Sequence, residues 1–228
     1  MIRIANKKAV FFDLDHTLWD FEKNSALTFE AVLTRQKVNV SIPDFIEAYV
    51  PINLKYWKRY RDGHITQEEL RYGRLKDTFT SLGHEADEVI ISAIWEEYIE
   101  LLPQYNHLFD GTVELLEYLK PKYSLHIITN GVQEVGKLKN SKIFHYFDTV
   151  TNAEIAGCKK PDSRIFEYAL KAANATKEHS VMIGDCIEAD VQGALNCGLD
   201  AIYFNENRLE VAEGIAQVQH LLELKNIL

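Results

Sequence analysis

The chain has 228 residues, 46% hydrophobic and 26% charged, which suits one core of ordinary size, or one core plus a small accessory domain, and excludes long disorder. A formal net charge of -9 gives a field that repels a polyphosphate backbone, so no nucleic acid polymer is expected as a partner, although a local site can still take a small anion. The three cysteines, Cys158, Cys186 and Cys197, show no metal-type pairing and fit a reducing compartment better than a disulfide framework.

The first predicted strand is Lys8 to Leu14, a short and almost continuous apolar run of the kind buried on both faces of a parallel sheet. Its core, Ala9 to Phe12, is too short for a signal peptide or a membrane span. No later stretch reaches spanning length without charges, so a soluble cytoplasmic protein with no membrane partner is expected. From Trp19 to Glu97 no strand pattern occurs. Leu27, Ala31 and Val32 have helical spacing, as do Phe45, Tyr49 and Trp57. Thr66 to Glu69 is a capping box, followed by Leu70, Leu75, Phe79 and Leu82 and ended by Gly83. Ile90, Ile94, Tyr98 and Leu101 form another stripe. The aromatics Tyr49, Tyr56, Trp57 and Tyr60 read as the core of a small bundle rather than as substrate contacts.

Strands and helices then alternate. Val113, Leu116 and Leu119 share a helical face, and Leu125 to Thr129 is a strand. Val132 to Ser141 is helical, and Thr149 to Thr151 is a strand. Pro161 and Asp162 open a helix through Ile165, Ala169, Leu170 and Ala173, and Val181 to Gly184 is a strand. Val191, Ala194 and Leu195 mark a helix ended by Gly198, and Ala201 to Phe204 is a strand. The tail from Ile215 to Leu228 has a helical end that completes the core. Alternating strands and helices specify an α/β fold with a parallel sheet. The expected division is a Rossmann-like core over 1–18 and 98–228 and an inserted helical domain over 19–97.

Four stations carry chemistry, all read at C-terminal ends of predicted strands of one sheet, where open α/β sheets bind ligands. Asp13 and Asp15 lie two apart in Asp13-Leu-Asp15-His-Thr17, so both side chains point the same way from an extended strand. Two such carboxylates are costly together unless a cation or a shared proton intervenes. Asp13 can then attack phosphorus while ligating a hard cation, and Asp15 can give and take a proton. Thr129-Asn130-Gly131 offers a hydroxyl, an amide and a flexible backbone for an oxyanion. Lys159-Lys160-Pro161-Asp162 can set an ammonium against a phosphate. Gly184-Asp185, with Asp190 further on, supplies carboxylates of the kind Mg²⁺ takes beside water and phosphate oxygens. Each station alone is also an ordinary turn or solvated charge; together they supply the parts of phosphoryl transfer.

In this order the stations resemble the haloacid dehalogenase superfamily. Its Asp-x-Asp-x-Thr signature matches Asp13, Asp15 and Thr17; its Ser/Thr matches Thr129; its Lys matches Lys160 rather than Lys159; its Gly-Asp-x-x-x-x-Asp matches Gly184, Asp185 and Asp190. The resemblance spans Phe11 to about Phe204 and implies a Rossmann-like core with an inserted four-helix cap. The stretch Phe12 to Phe21, with Asn24 and Ala26, looks most like the nucleoside 5′-monophosphate phosphatases, departing from that branch at Cys186, where Ser is common, and at Tyr203, where Trp is common. Asp15 stands where dehalogenases and phosphonate-cleaving relatives carry another residue, which points to phosphoryl chemistry.

The resemblance further implies a Mg²⁺ ion held by the Asp13 carboxylate, the Asp15 carbonyl and Asp185, with Asp190 in support. Thr129, the Asn130 amide, Gly131 and Lys160 are implied around the phosphate of a small phosphorylated substrate. Two alternatives stay open: a phosphohexomutase, which keeps both aspartates, and a non-catalytic binding protein on the same fold. Nothing in the sequence chooses between monomer and homodimer. His16 is read as packing or solvated.

Overall fold

A computed structural model describes residues 6–228, which fall into two compact units. One is Glu22–Tyr105; the other comprises the chain up to Phe21 together with Asn106–Leu228.

The second of these is built on a six-stranded sheet. Its strands are β1 (Ala9–Phe12), β2 (Ser124–Thr129), β3 (Thr149–Asn152), β4 (Ser180–Gly184), β5 (Asp200–Phe204) and β6 (Gln217–Val218), in the order β3-β2-β1-β4-β5-β6. Every pairing is parallel, with Phe12 opposite Ile127 on one side and Ile183 on the other. β1 is buried throughout, so its sequence has no polar alternation to show.

Going from β1 to β3 the chain moves one way across the sheet; from β3 through β4 to β6 it moves the other way. Right-handed crossovers therefore put α5 (Thr112–Leu119) and α6 (Glu134–Asn140) on one face and α8 (Ser163–Ala172) and α9 (Gly193–Cys197) on the other. A short helix, α7 (Ala153–Ala156), follows β3. On the α8 side, Phe11, Ile128 and Met182 of the sheet pack with Ile165, Phe166, Ala169 and Ala194. The direction of winding reverses between β1 and β4, and a crevice at the carboxyl ends of those strands follows from it.

The five predicted strands are present, and β6 is an addition. It has two residues, of which only Val218 is buried, so it carries no periodic signal. Of the predicted helical faces, Leu116, Leu119, Val191 and Ala194 are buried as read, but Val113 and Leu195 point outward and Leu115 joins the buried side of α5. The tail is a 3-10 turn over Leu221–Asn226 that buries Leu221 and Leu224, and the Tyr118 hydroxyl donates to the Lys225 carbonyl.

The helical unit has four helices, α1 (Phe21–Arg35), α2 (Ile42–Arg61), α3 (Gln67–Ser81) and α4 (Glu88–Leu101). Phe29 sits fully buried with ring centroids of Phe45, Tyr49 and Tyr98 at 5.0, 4.6 and 4.4 Å. The capping box at α3 forms as read: the Glu69 amide donates to the Thr66 hydroxyl at 3.1 Å and the Thr66 amide to the Glu69 carboxylate at 2.7 Å. Tyr49 and Tyr56 are buried, and Trp57 and Tyr60 pack, partly buried, against the cluster of Tyr56, Ile65 and Leu70. On α4 the inward residue is Ile91, not Ile90. Because Val89, Ile90 and Ile91 are all apolar, spacing alone does not choose among them.

Among the described residues no helix is long and apolar enough to cross a membrane. Replacing Phe29 by Ala removes the ring that three aromatics enclose. The expected cost is about 3–5 kcal/mol, read as a lower urea midpoint; a change below about 1 kcal/mol would mean that this cluster does not hold the unit together.

Candidate active site

Asp13 is the first residue after β1. Its amide donates to the Ile183 carbonyl at 2.9 Å, so the chain leaves the sheet still paired to β4. The next turn winds tightly, with the amides of Thr17, Leu18 and Trp19 all directed at the Leu14 carbonyl. This turns Thr17 inward, where its hydroxyl donates to Asp185 Oδ1 at 3.2 Å. His16 takes a left-handed φ of 66° and its ring packs 4.9 Å from that of Phe21, in line with the packing role expected of it.

Lys160 is buried at the centre. Its ammonium lies 2.6 Å from Asp13 Oδ1, 2.6 Å from Asp190 Oδ1 and 2.7 Å from the Ile128 carbonyl. Lys160, and not Lys159, therefore faces the nucleophile candidate. Its pKa lies above the usual lysine value: burial opposes the charge, but the Asp13 and Asp190 carboxylates outweigh it. Removing one partner of such a buried group typically costs about 3–5 kcal/mol, because the other charge is left bare. The Lys160 backbone is held by Asn130, whose side chain accepts from the Lys160 amide at 2.8 Å and donates to its carbonyl at 2.9 Å. Thr129 is buried, and its hydroxyl accepts from the Gly131 amide at 3.0 Å.

Asp185 follows β4, and Asp190 lies in a π-helical turn over Ile187–Gln192. Asp190 Oδ2 accepts from the Cys186 amide at 2.9 Å, while Oδ1 faces Lys160, so this carboxylate fixes both the turn and the lysine. A Cβ on Gly184 would overlap the Asp190 carboxylate, which is a physical reason for glycine there. Asp13, Asp185 and Asp190 can offer oxygens that all lie within 4.8 Å of one another. Burial, first of all, raises the Asp13 pKa well above the usual carboxylate range, with Asp190 and Asp185 adding to it and Lys160 opposing. Burial and then Asp190 push Asp185 up to about 7, against Lys160 and Thr17.

Those shifts are a test of fit for a cation. Three ionised carboxylates facing one ammonium leave two negative charges, and a hard divalent ion matches both the charge and the all-oxygen donor set. The residues present fit such an ion.

Asp15 has a partner that sequence reasoning missed. The buried Lys137 of α6 donates to Asp15 Oδ1 at 2.6 Å and Oδ2 at 2.8 Å. The available signal was the spacing of Glu134, Lys137 and Leu138, which puts two charges on the apolar face of a helix. The predicted residues Asp13, Asp15, Thr129, Asn130, Gly131, Lys160, Asp185 and Asp190 are thus linked through contacts within one unit.

The family pattern of the haloacid dehalogenase-like hydrolases matches residues 7–198. The chain belongs to that family. It is 33% identical over 207 residues to the pyrimidine 5′-nucleotidase PynA of Streptococcus pneumoniae, covering 89% of this chain and 86% of the relative. It is 31% identical over 226 residues to the pyrimidine 5′-nucleotidase YjjG of Escherichia coli, covering 96% of each. The structure of the HAD-hydrolase YfnB of Bacillus subtilis, bound to magnesium, superposes with a TM-score of 0.88 at 27% identity, covering 97% of this chain and 98% of that one. The resemblance carried by the four motifs is thereby borne out, as is the α/β class.

The raised Asp185 pKa gives a signed expectation. Between the unfolded carboxylate value and about 7, the metal-free folded state holds a proton that the unfolded chain does not. Stability from this group is therefore full below about pH 4 and is lost as pH rises through 7. A cation must displace that proton, so it binds better at higher pH. The rise in Tm on adding Mg²⁺ should be larger at pH 8 than at pH 6. Equal rises would show that the ion does not engage Asp185.

Proposed function

We propose that the protein is a magnesium-dependent phosphatase of small phosphomonoesters, with nucleoside 5′-monophosphates carrying a pyrimidine as its preferred substrates. The observation that carries this reading is the Asp13 carboxylate, buried at a sheet switch point with Lys160 at 2.6 Å and two further carboxylates around it. The named activities of PynA and YjjG support the substrate class.

Asp13 attacks phosphorus in line, forming an aspartyl-phosphate as the bond to the leaving oxygen breaks. Lys160 holds the Asp13 oxygen in place and offsets phosphate charge. Thr129 and the Asn130 backbone amide present donors to the phosphate oxygens, while the Gly131 amide holds the Thr129 hydroxyl. Asp15 gives its proton to the departing alkoxide, then takes one from the water that attacks the aspartyl-phosphate. Asp13 and Asp185, with the Asp15 carbonyl, would hold Mg²⁺, and Asp190 supports them through Lys160. When bound, the ion supplies charge neutralisation between nucleophile and phosphate. The assignment of a catalytic core and a helical cap belongs to the same reading.

The test is phosphate release with Mg²⁺ across pyrimidine and purine nucleoside monophosphates, sugar phosphates and small phosphoesters, with Asp13→Asn in parallel. Release should be fastest from the pyrimidine nucleotides and should fall by about 10⁴-fold or more in the variant. Phosphoryl return to a sugar instead of release would reassign the protein as a mutase. A folded, metal-loaded protein with no turnover on any ester would reassign it as a binding protein.

A further inference from the structure

Lys137 is 1% exposed on α6, between outward-facing neighbours such as Val135 and Lys139. An ammonium so placed is strongly unfavourable unless it is paired and hydrogen-bonded. Its partners are specific. Both oxygens of Asp15 accept from it, at 2.6 and 2.8 Å, and its Nζ lies 4.6 Å from the centroid of the buried Trp19 ring. On another side Asp15 meets Gly131, where an added Cβ would overlap Asp15 Oδ2. The carboxylate is thus seated between a lysine and a bare backbone, and its side chain stays 17% exposed. A terminal carboxylate torsion is ordinarily broad; a two-point clamp removes that freedom.

We infer that Lys137 is a positioning residue for Asp15, fixing the carboxylate with one edge open to the leaving oxygen. The inference rests on the reading of Asp15 as the acid and base of phosphoester hydrolysis. In the first half-reaction an Asp13 oxygen bonds to phosphorus as the bond from phosphorus to the leaving oxygen breaks, and the Asp15 O–H bond breaks as its proton passes to that oxygen. The electron pair stays on Asp15, where the Lys137 charge stabilises it. In the second half-reaction a water O–H bond breaks toward Asp15 and the water oxygen bonds to phosphorus. The phosphorus–Asp13 bond then breaks with its pair returning to Asp13. Lys137 keeps its proton throughout and acts only through Asp15.

The experiment measures kcat/KM with saturating Mg²⁺ for aryl phosphates of increasing leaving-group basicity and for a nucleoside monophosphate. The proteins are wild type, K137M, K137Q, K137R, D15N, K137M/D15N and D13N, each checked for folding by circular dichroism. K137M should lose about 10- to 100-fold on the nucleotide and least on p-nitrophenyl phosphate, because only a basic leaving oxygen needs a placed proton. Its dependence on leaving-group basicity should steepen, K137Q should fall between, and K137R should recover most of the loss. In the D15N background K137M should add less than about twofold, because both changes remove one interaction. A K137M or K137Q loss equal for every leaving group, no loss at all, or full multiplication with D15N would overturn the inference. If K137M does not fold, the K137Q and K137R slopes decide by the same criterion. Turnover surviving in D13N would sink the aspartyl-phosphate reading, whereas loss in D13N with an unchanged slope in the Lys137 variants would sink this inference alone.

Discussion

Keeping the Asp13 carboxylate dry is the constraint around which this unit is arranged. A buried carboxylate is a better nucleophile when desolvated, but it is stable as an anion only beside positive charge. The fold meets this with Lys160, which reaches Asp13, Asp190 and a β2 carbonyl from a loop outside the sheet. Several other features follow from holding that lysine. Asn130 clips its backbone, Asp190 balances it from the π-helical turn, and Gly184 is bare so that Asp190 can come close. Charge remains in surplus even so, and the surplus is of the sign and size that suit a divalent ion.

The sheet supplies the convergence. The reversal between β1 and β4 brings Asp13 and Asp185 to adjacent strand ends, although they lie far apart in sequence. Parallel strands buried on both faces leave the carboxyl edge as the place where polar side chains find room. Asp13 and Asp185 stand at the first position beyond a strand, whereas Lys160 and Asp190 reach the same edge from a loop and a turn several residues further on.

Much of this was legible in the sequence for the same reason. Runs such as Val10-Phe11-Phe12 and Val181-Met182-Ile183 announce doubly buried strands, and the polar residues at their ends stand out. What could not be read has identifiable physical causes. Three consecutive apolar residues at Val89 to Ile91 hide which one faces in. β6 is too short for a period to exist. Lys137 sits in a stretch with Lys139 and Lys142, all of which look solvated, and only the approach of α6 to Asp15 separates one from the others. Asp190 was legible as a carboxylate near the metal; its grip on Lys160 depends on a turn geometry that motif spacing does not express.

The clip made by Asn130 bears on how the protein ages. Asn-Gly is the dipeptide most prone to deamidation, since a glycine amide can swing back onto the asparagine carbonyl carbon and expel ammonia through a cyclic imide. Here that amide is held by the Thr129 hydroxyl, and the asparagine side chain is pinned by two hydrogen bonds to Lys160, so the ring cannot close while the loop is folded. In an unfolded or newly made chain nothing restrains it. An aspartate at the same place would set a second negative oxygen against the Lys160 carbonyl, loosening the lysine on which the nucleophile depends. Chemical durability of this catalytic loop is therefore a property of the folded state, and time spent unfolded is what erodes it.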